Sequence, residues 1–362
     1  MRVETEVSVQ RRRQVDRPPR RNHRRLVALA LSTLALLAAV TACSTAPIAQ
    51  SPASDSAAHL RDGPQTATLP DPDVVPITSN PAVTLPTTVD SAAGGKVTVT
   101  DAGRIIAVDR NGTLGNIVFS LGLGTQVVGR DQSTTFPSAA KLPLVTGNGH
   151  QLNAESVLAL DPSVVLIDAG TTPPQAVDAI RASGIAVVGF DSTRTVAATP
   201  ALIRAVAASL GVTPAGEQLV ARTEADIATA RSAVPDPSGD PKIAFLYIRG
   251  PRLVLLAGPK SGADDLISAL GGTDAGSAAG FSAQFTAVTA EALLRANPDV
   301  ILVMTQGADS VGGLGGVLAL PGVADTTAGR NRRVVAMDES EVLAFGPDVG
   351  RVLGALGHAI YT

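Results

Sequence analysis

Aromatic residues, histidine, lysine and cysteine are all scarce in this 362-residue chain. It has no Trp, two Tyr, seven Phe, four His and a single Cys, and aromatics make up 2% of it. One cysteine excludes an internal disulfide framework and any cysteine-based metal cluster. So few imidazoles make a zinc site hard to assemble, because zinc needs several imidazoles, thiolates or carboxylates converging on one ion. Catalytic motifs are missing as well: the chain contains no Gly-x-x-x-x-Gly-Lys-Ser/Thr, no His-Glu-x-x-His and no Gly-x-Ser-x-Gly. Gly122-Leu123-Gly124 and the run from Gly312 to Gly316 lack the strand-turn-helix frame of a dinucleotide fold and read as turns. With these motifs missing, nothing in the chain points to catalysis, and it is not expected to be an enzyme.

Positive charge is concentrated at the front. The first 25 residues carry nine Arg, and residues 26–40 then run apolar with only Ser32 and Thr33 interrupting. A basic segment followed by an apolar one has the form of a secretory signal. As a helix, fifteen residues rise only about 22 Å, short of the roughly 30 Å hydrocarbon core of a bilayer. Residues 1–42 are therefore assigned as a signal peptide, with Arg24-Arg25 leaving both Sec and Tat export open. The next residues, Val40-Thr41-Ala42-Cys43, resemble the lipobox of bacterial lipoproteins, which implies a diacylglycerol anchor on Cys43 and an extracytoplasmic chain tethered to the cell membrane. Removing the signal takes away nine Arg and three acids, leaving 20 basic and 29 acidic residues and a net charge of about −9. Such a surface argues against nucleic acid as a partner.

From 43 to 95 the chain is dominated by Ser, Ala, Thr, Pro and Asp, and this predicts a disordered linker. Short β-branched apolar runs follow at 104–108, 126–129, 164–167, 186–190, 242–247, 252–256, 299–304 and 333–337. Runs of four to six residues, apolar on both faces and alternating with helical stretches, predict an α/β protein built on parallel sheets. The longest helical segment, 214–234, has Pro in its first turn and is stopped by Pro235 and Pro237. At about 30 Å it is long enough to join two lobes.

An internal repeat supports two lobes. Residues 153–167 and 289–303 align without a gap, with Ala154/Ala290, Glu155/Glu291, Leu158/Leu294, Pro162/Pro298, Val164/Val300 and Leu166/Leu302 identical. Each copy reads as a short helix, a proline stop and a buried strand. Each also places one Glu at a helix start, where the helix dipole alone would favour it by about 0.3–1 kcal/mol. The boundaries that follow are an N-terminal lobe at 96–212, a bridging helix at 213–235 and a C-terminal lobe at 236–362.

Two further motifs stand out: Gly147-Asn148-Gly149-His150-Gln151-Leu152, just before the first repeat copy, and Tyr247-Ile248-Arg249-Gly250, ending an apolar strand. A strand end is where open α/β sheets bind ligands, and a Gly-rich loop lets the backbone approach a flat one. Together with the paired repeats, Pro321-Gly322-Val323, Ala328-Gly329-Arg330 and Phe345-Gly346-Pro347, these segments resemble the ABC-importer substrate-binding proteins. The class meant has two Rossmann-like lobes on a rigid helix and includes cobalamin, siderophore and haem receptors. The resemblance runs from about Arg104 to the C-terminus, and its local motifs are those of haem-uptake lipoproteins.

The resemblance implies that His150 and Tyr247 are axial ligands of haem iron, and both residue types are known haem ligands. It implies that Arg249 hydrogen-bonds the Tyr oxygen, assisting a phenolate whose free pKa is about 10. It further implies that Glu155 and Glu291 dock on an ABC permease dimer with its ATPase, with surface haem-relay proteins as candidate partners. A ferric siderophore or a corrinoid is the alternative cargo, disfavoured by the low aromatic content. His59, in the linker, and His358, in a terminal helix, are read as bystanders.

Overall fold

The computed structural model describes residues 60–234 and 240–361. The signal segment, Cys43 and His59 lie outside the described residues.

The segment 60–95 is not a linker. Strand β1 (Gln65–Thr66) adds to the edge of the C-terminal sheet, and β2 (Thr87–Asp90) pairs antiparallel with β3 (Lys96–Val99). Between them the chain crosses from one lobe to the other. Leu60 and Ala67 are buried in the C-terminal core, while Val74 is buried in the N-terminal one. Arg222 of the bridging helix donates to the Val75 carbonyl at 2.7 Å. A composition rich in Ser, Pro and Thr concealed this because the strap needs only a few apolar anchors; much of the rest of its cohesion is main-chain hydrogen bonding, which any sequence can make, with side-chain ties such as Asp62 to Arg333 and Asp73 to Ser138.

The N-terminal lobe is a four-stranded parallel sheet of β4 (Ile105–Val108), β5 (Val127–Arg130), β6 (Val164–Asp168) and β7 (Ala186–Phe190), in the order β5-β4-β6-β7. Alternate residues feed opposite cores: Ile105, Ala107, Val164 and Leu166 pack on one face, Ile106, Val108, Val165 and Ile167 on the other. That two-sided burial is why the runs read as continuously apolar.

The C-terminal lobe contains β8 (Lys242–Ile248), β9 (Val254–Ala257), β10 (Thr273–Asp274), β11 (Phe285–Ala287), β12 (Val300–Met304) and β13 (Val334–Met337). Its main path is β1-β13-β12-β8-β9-β11, with β10 beside β8. The run at 252–256, expected in a parallel sheet, instead forms the return arm of a hairpin: β9 is antiparallel to β8, and β11 to β9. A connection of only five residues between β8 and β9 is too short for a parallel crossover, which takes a dozen or more.

The bridging helix runs Thr213–Ala233. Its first half gives Ala215, Leu219 and Val220 to the N-terminal core, and its second half gives Ile227 and Ala230 to the C-terminal core. The terminal helix Val349–Tyr361 packs along it, closely enough that a Cβ on Gly350 would stand 2.5 Å from the Asp226 carbonyl carbon. Glycine is required there.

The lobes are also clasped directly. Asn111 Nδ2 donates to the Leu343 carbonyl at 2.7 Å, Thr199 Oγ1 to the Phe345 carbonyl at 2.8 Å, and Thr113 Oγ1 to the Ala344 carbonyl. Three consecutive carbonyls of one lobe are thus held by side chains of the other. Phe345, the start of the Phe-Gly-Pro motif, has φ 47°, so the clasped segment turns sharply through the left-handed region.

The strap has a direct test. The amide of Ala67 donates to the Ala336 carbonyl at 2.8 Å and that of Ile77 to the Ser120 carbonyl at 2.7 Å. Hydrogen exchange should find both protected to the same order as the neighbouring sheet and helix; immediate exchange of both would mean that this stretch is a linker after all.

Candidate functional site

The carboxyl ends of the parallel strands of both lobes carry the polar side chains. In the N-terminal lobe every strand runs into an aspartate: Asp109 follows β4, Asp131 follows β5, Asp168 ends β6 and Asp191 follows β7. Three of these form a buried cluster with Arg194. Arg194 Nη2 lies 2.7 Å from Asp109 Oδ2 and 3.7 Å from Asp168 Oδ2. Asp131 accepts the amides of Asp109, Ser133 and Thr134. The guanidinium pairs with two of the three carboxyls, and burial, with the charge of Asp109 as a second cause, pushes Asp131 up to about 7. Asp168 is raised by burial first and by Asp109 second.

This cluster escaped the sequence reading. Its signal was present in the four Asp at strand ends, but their convergence depends on sheet order. The cluster fixes the loop after β5, and Ser133 Oγ of that loop lies 3.4 Å from His150 Nδ1.

His150 ends a short turn, Asn148–His150, in which Gly149 has φ 71° and His150 itself has φ 64°. A left-handed non-glycine residue is uncommon, and the posture projects the ring from the loop. The imidazole is half-buried. Its pKa is lowered first by desolvation, then by the positive charges of Arg110 and Arg249, against a smaller opposite pull from Asp109. Arg249 belongs to the other lobe, so its charge reaches His150 across the cleft. A neutral imidazole is the form that ligates a metal.

Across the cleft, Tyr247 occupies the penultimate position of β8 and is half-buried. The guanidinium carbon of Arg249 lies 4.6 Å from the centroid of its ring, and Nη1 donates to the Ile248 carbonyl at 3.0 Å. The expected hydrogen bond from Arg249 to the phenol oxygen is therefore replaced by a cation–π contact with the ring face. Two residues that the sequence reading did not single out join this side. Phe285, on β11, is 40% exposed and meets the Tyr247 ring edge-on at 6.2 Å between centroids. Glu339 Oε1 stands 3.7 Å from Arg249 Nη1. Arg249, 99 residues after His150 in the chain, is thus near enough for its charge to act on that imidazole, and it stacks on Tyr247 two residues before it.

A cavity of about 510 Å³ lies elsewhere between the lobes, lined by Asn116, Phe136, Glu341, Phe345 and Asp348 and covered by Leu69 of the strap. Neither His150 nor Tyr247 lines it. Its lining combines three carboxylates, Asp338, Glu341 and Asp348, with apolar and small side chains.

Glu155 and Glu291 are both exposed and both sit in the first turn of a short helix, Ala154–Leu158 and Ala290–Ala296. The repeat is structural as well as sequential. Asn153 and Thr289 cap the helices by accepting the amides of Ser156 and Ala292, and Asp161 and Asn297, at matched offsets, take left-handed φ of 44° and 37° before the prolines. His358 lies in the terminal helix, away from the cleft residues.

Two α/β lobes on a rigid helix, with ligand-bearing strand ends facing across a cleft, define a binding protein of the extracytoplasmic importer type. The chain belongs to the periplasmic binding protein family, whose model matches residues 111–341; members bind substrates and are not enzymes. It is similar to the heme binding protein HmuT, with 37% identity over 83% of this chain and 98% of that one and a TM-score of 0.78. HmuT has also been solved as single variants in which a His, a Tyr, or an Arg two positions after that Tyr is replaced. The apo periplasmic heme-binding protein RhuT from Roseiflexus sp. RS-1 is 38% identical over 72% of this chain and 98% of that one, with a TM-score of 0.67. Among curated proteins, the uncharacterized ABC transporter substrate-binding lipoprotein YvrC of Bacillus subtilis (strain 168) is 24% identical over 76% of this chain and 86% of its own.

The coupling of the lobes can be measured. In NMR titration the imidazole of His150 should have its midpoint below the roughly 6.5 of a free histidine, and Arg249→Ala should raise that midpoint by relieving a repulsion. A midpoint indifferent to Arg249 would mean that the two side chains do not share a cleft.

Proposed function

We propose that this protein captures haem between its lobes and delivers it to an ABC permease for import. The observation that carries the reading is the pairing of His150 on one lobe with Tyr247 and Arg249 on the other, across one cleft. Imidazole and phenolate both bind haem iron. Burying the apolar faces of a porphyrin would add affinity at about 25 cal/mol per Å² removed from water. Arg249, stacked on the Tyr247 ring, places a positive charge beside the phenol. The similarity to proteins named for heme binding supports the same cargo, and the two-residue spacing from Tyr247 to Arg249 matches that of the Tyr and Arg replaced in HmuT. A siderophore or corrinoid has less support, since aromatics make up only 2% of the chain.

In this reading Cys43 carries the lipid anchor, and the exposed Glu155 and Glu291 engage the two halves of the permease dimer. The matched helix starts support that pairing, since equivalent carboxylates on two similar lobes suit a partner with twofold symmetry.

Haemin titrated into the protein should give a ligand-bound Soret spectrum. Tyr247→Ala and His150→Ala should each alter it and weaken binding at least about tenfold; spectra unchanged in both variants would defeat the assignment. Docking separates cleanly from cargo binding. Glu155→Lys with Glu291→Lys should retain the wild-type haem spectrum but lose stimulation of the permease ATPase, and full stimulation would remove these residues from the interface.

A further inference from the structure

Glu339 has no role in the cargo reading, and its surroundings are unusual. It opens the short helix Glu339–Val342, which follows directly from β13. Its side chain is 16% exposed. Oε2 accepts the Gln306 amide at 3.2 Å, just beyond the end of β12, whereas Oε1 is buried and has no hydrogen-bond partner among the described residues. An unpaired buried carboxylate oxygen is costly and calls for a reason. The basic group that the structure places beside it is Arg249, 3.7 Å away, which leaves the end of β8. Since β13, β12 and β8 are adjacent, Glu339, Gln306 and Arg249 form a line across three neighbouring strand ends.

Arg249 needs such a restraint. Its side chain is 42% exposed, and among the described residues only the Ile248 carbonyl and the face of the Tyr247 ring hold it besides Glu339. An arginine with that much exposure and a single hydrogen bond would otherwise sample solvent, at the expense of its place on the ring. Its backbone, by contrast, is fixed: the Arg249 amide donates to the Leu253 carbonyl at 2.8 Å and the Gly250 amide to Ser310 Oγ at 2.8 Å, which locks the β8–β9 turn. What remains to be set is the direction of the guanidinium, and Glu339 is placed to set it.

We propose that Glu339 is a positioning residue for cargo binding: it anchors the Arg249 guanidinium beside Tyr247 and thereby fixes the positive charge that the iron-binding phenolate experiences. The inference rests on the haem reading above. Glu339 does not itself touch cargo in this scheme, and its effect passes through Arg249 alone.

The test is a double-mutant cycle on the full chain loaded with haemin, comparing wild type, Tyr247→Ala, Arg249→Ala, Glu339→Gln and the Arg249→Ala/Glu339→Gln pair. Two quantities are read: the phenolate-to-iron charge-transfer band, and the rate at which haem passes to excess apomyoglobin. Glu339→Gln keeps the size and the acceptor for Gln306 while removing the charge. It should displace the band in the same direction as Arg249→Ala and speed haem release roughly two- to tenfold, yet add nothing once Arg249 is gone. Equal effects of Glu339→Gln with and without Arg249, or a silent Glu339→Gln or Arg249→Ala, would overturn the inference and leave the cargo reading standing. Persistence of the wild-type band in Tyr247→Ala would instead overturn the cargo reading, and this inference with it.

Discussion

The grip of Asn111, Thr113 and Thr199 on three successive carbonyls, 343 to 345, is the constraint from which the cleft follows. Each lobe could fold on its own sheet, since each has cores on both faces. What neither lobe could do alone is set the distance between a loop on one sheet and a strand end on the other. The clasp, the helix shared between the two cores and the strap that begins on one lobe and continues on the other all oppose large opening. Hinged closure of the kind that some two-lobed receptors use would break these side-chain-to-carbonyl hydrogen bonds, which is expensive. A cleft held nearly at its working width is preorganised, so little of the binding energy is spent on ordering the site.

Within that frame the two walls are built differently. The N-terminal wall is electrostatically loaded: Arg194 pairs with Asp109 and Asp168 at the strand ends, and the neighbouring buried Asp131 is raised to about 7. The cluster organises the loop against His150 and contributes one of the charges that act on its ring. The C-terminal wall is a hairpin end, aromatic and cationic, where Tyr247, Phe285 and Arg249 pack on one another. One side thus carries an imidazole, and the other a phenol under a guanidinium.

The sequence reading recovered the eight core strands within a residue or two, the long helix and the duplicated unit, because each leaves a local mark. Two-sided burial leaves unbroken β-branched runs, prolines mark helix ends, and a repeated supersecondary unit repeats its caps. It failed where the decisive interactions were between distant segments. Residues 60–95 looked like a tether because their order comes from main-chain pairing with β13 and from three isolated apolar anchors. The hairpin arm at 252–256 has the same composition as a parallel strand. Phe285 and Glu339 carry no motif, and the Asp at the strand ends of the first lobe could be seen singly but not as a cluster.

The chain by itself determined an exported α/β protein of two related lobes, the placement of His150 in a glycine-rich loop and of Tyr247 and Arg249 at a strand end, and the equivalence of Glu155 and Glu291. These follow from periodicity, capping and turn chemistry, all of which act over a few residues. Only the tertiary structure decided that His150 and Arg249 share one cleft, that the guanidinium lies on the Tyr247 ring instead of at its oxygen, and that Glu339 stands behind it. Those relations depend on strand order and on contacts between residues about a hundred positions apart, which local sequence pattern does not encode.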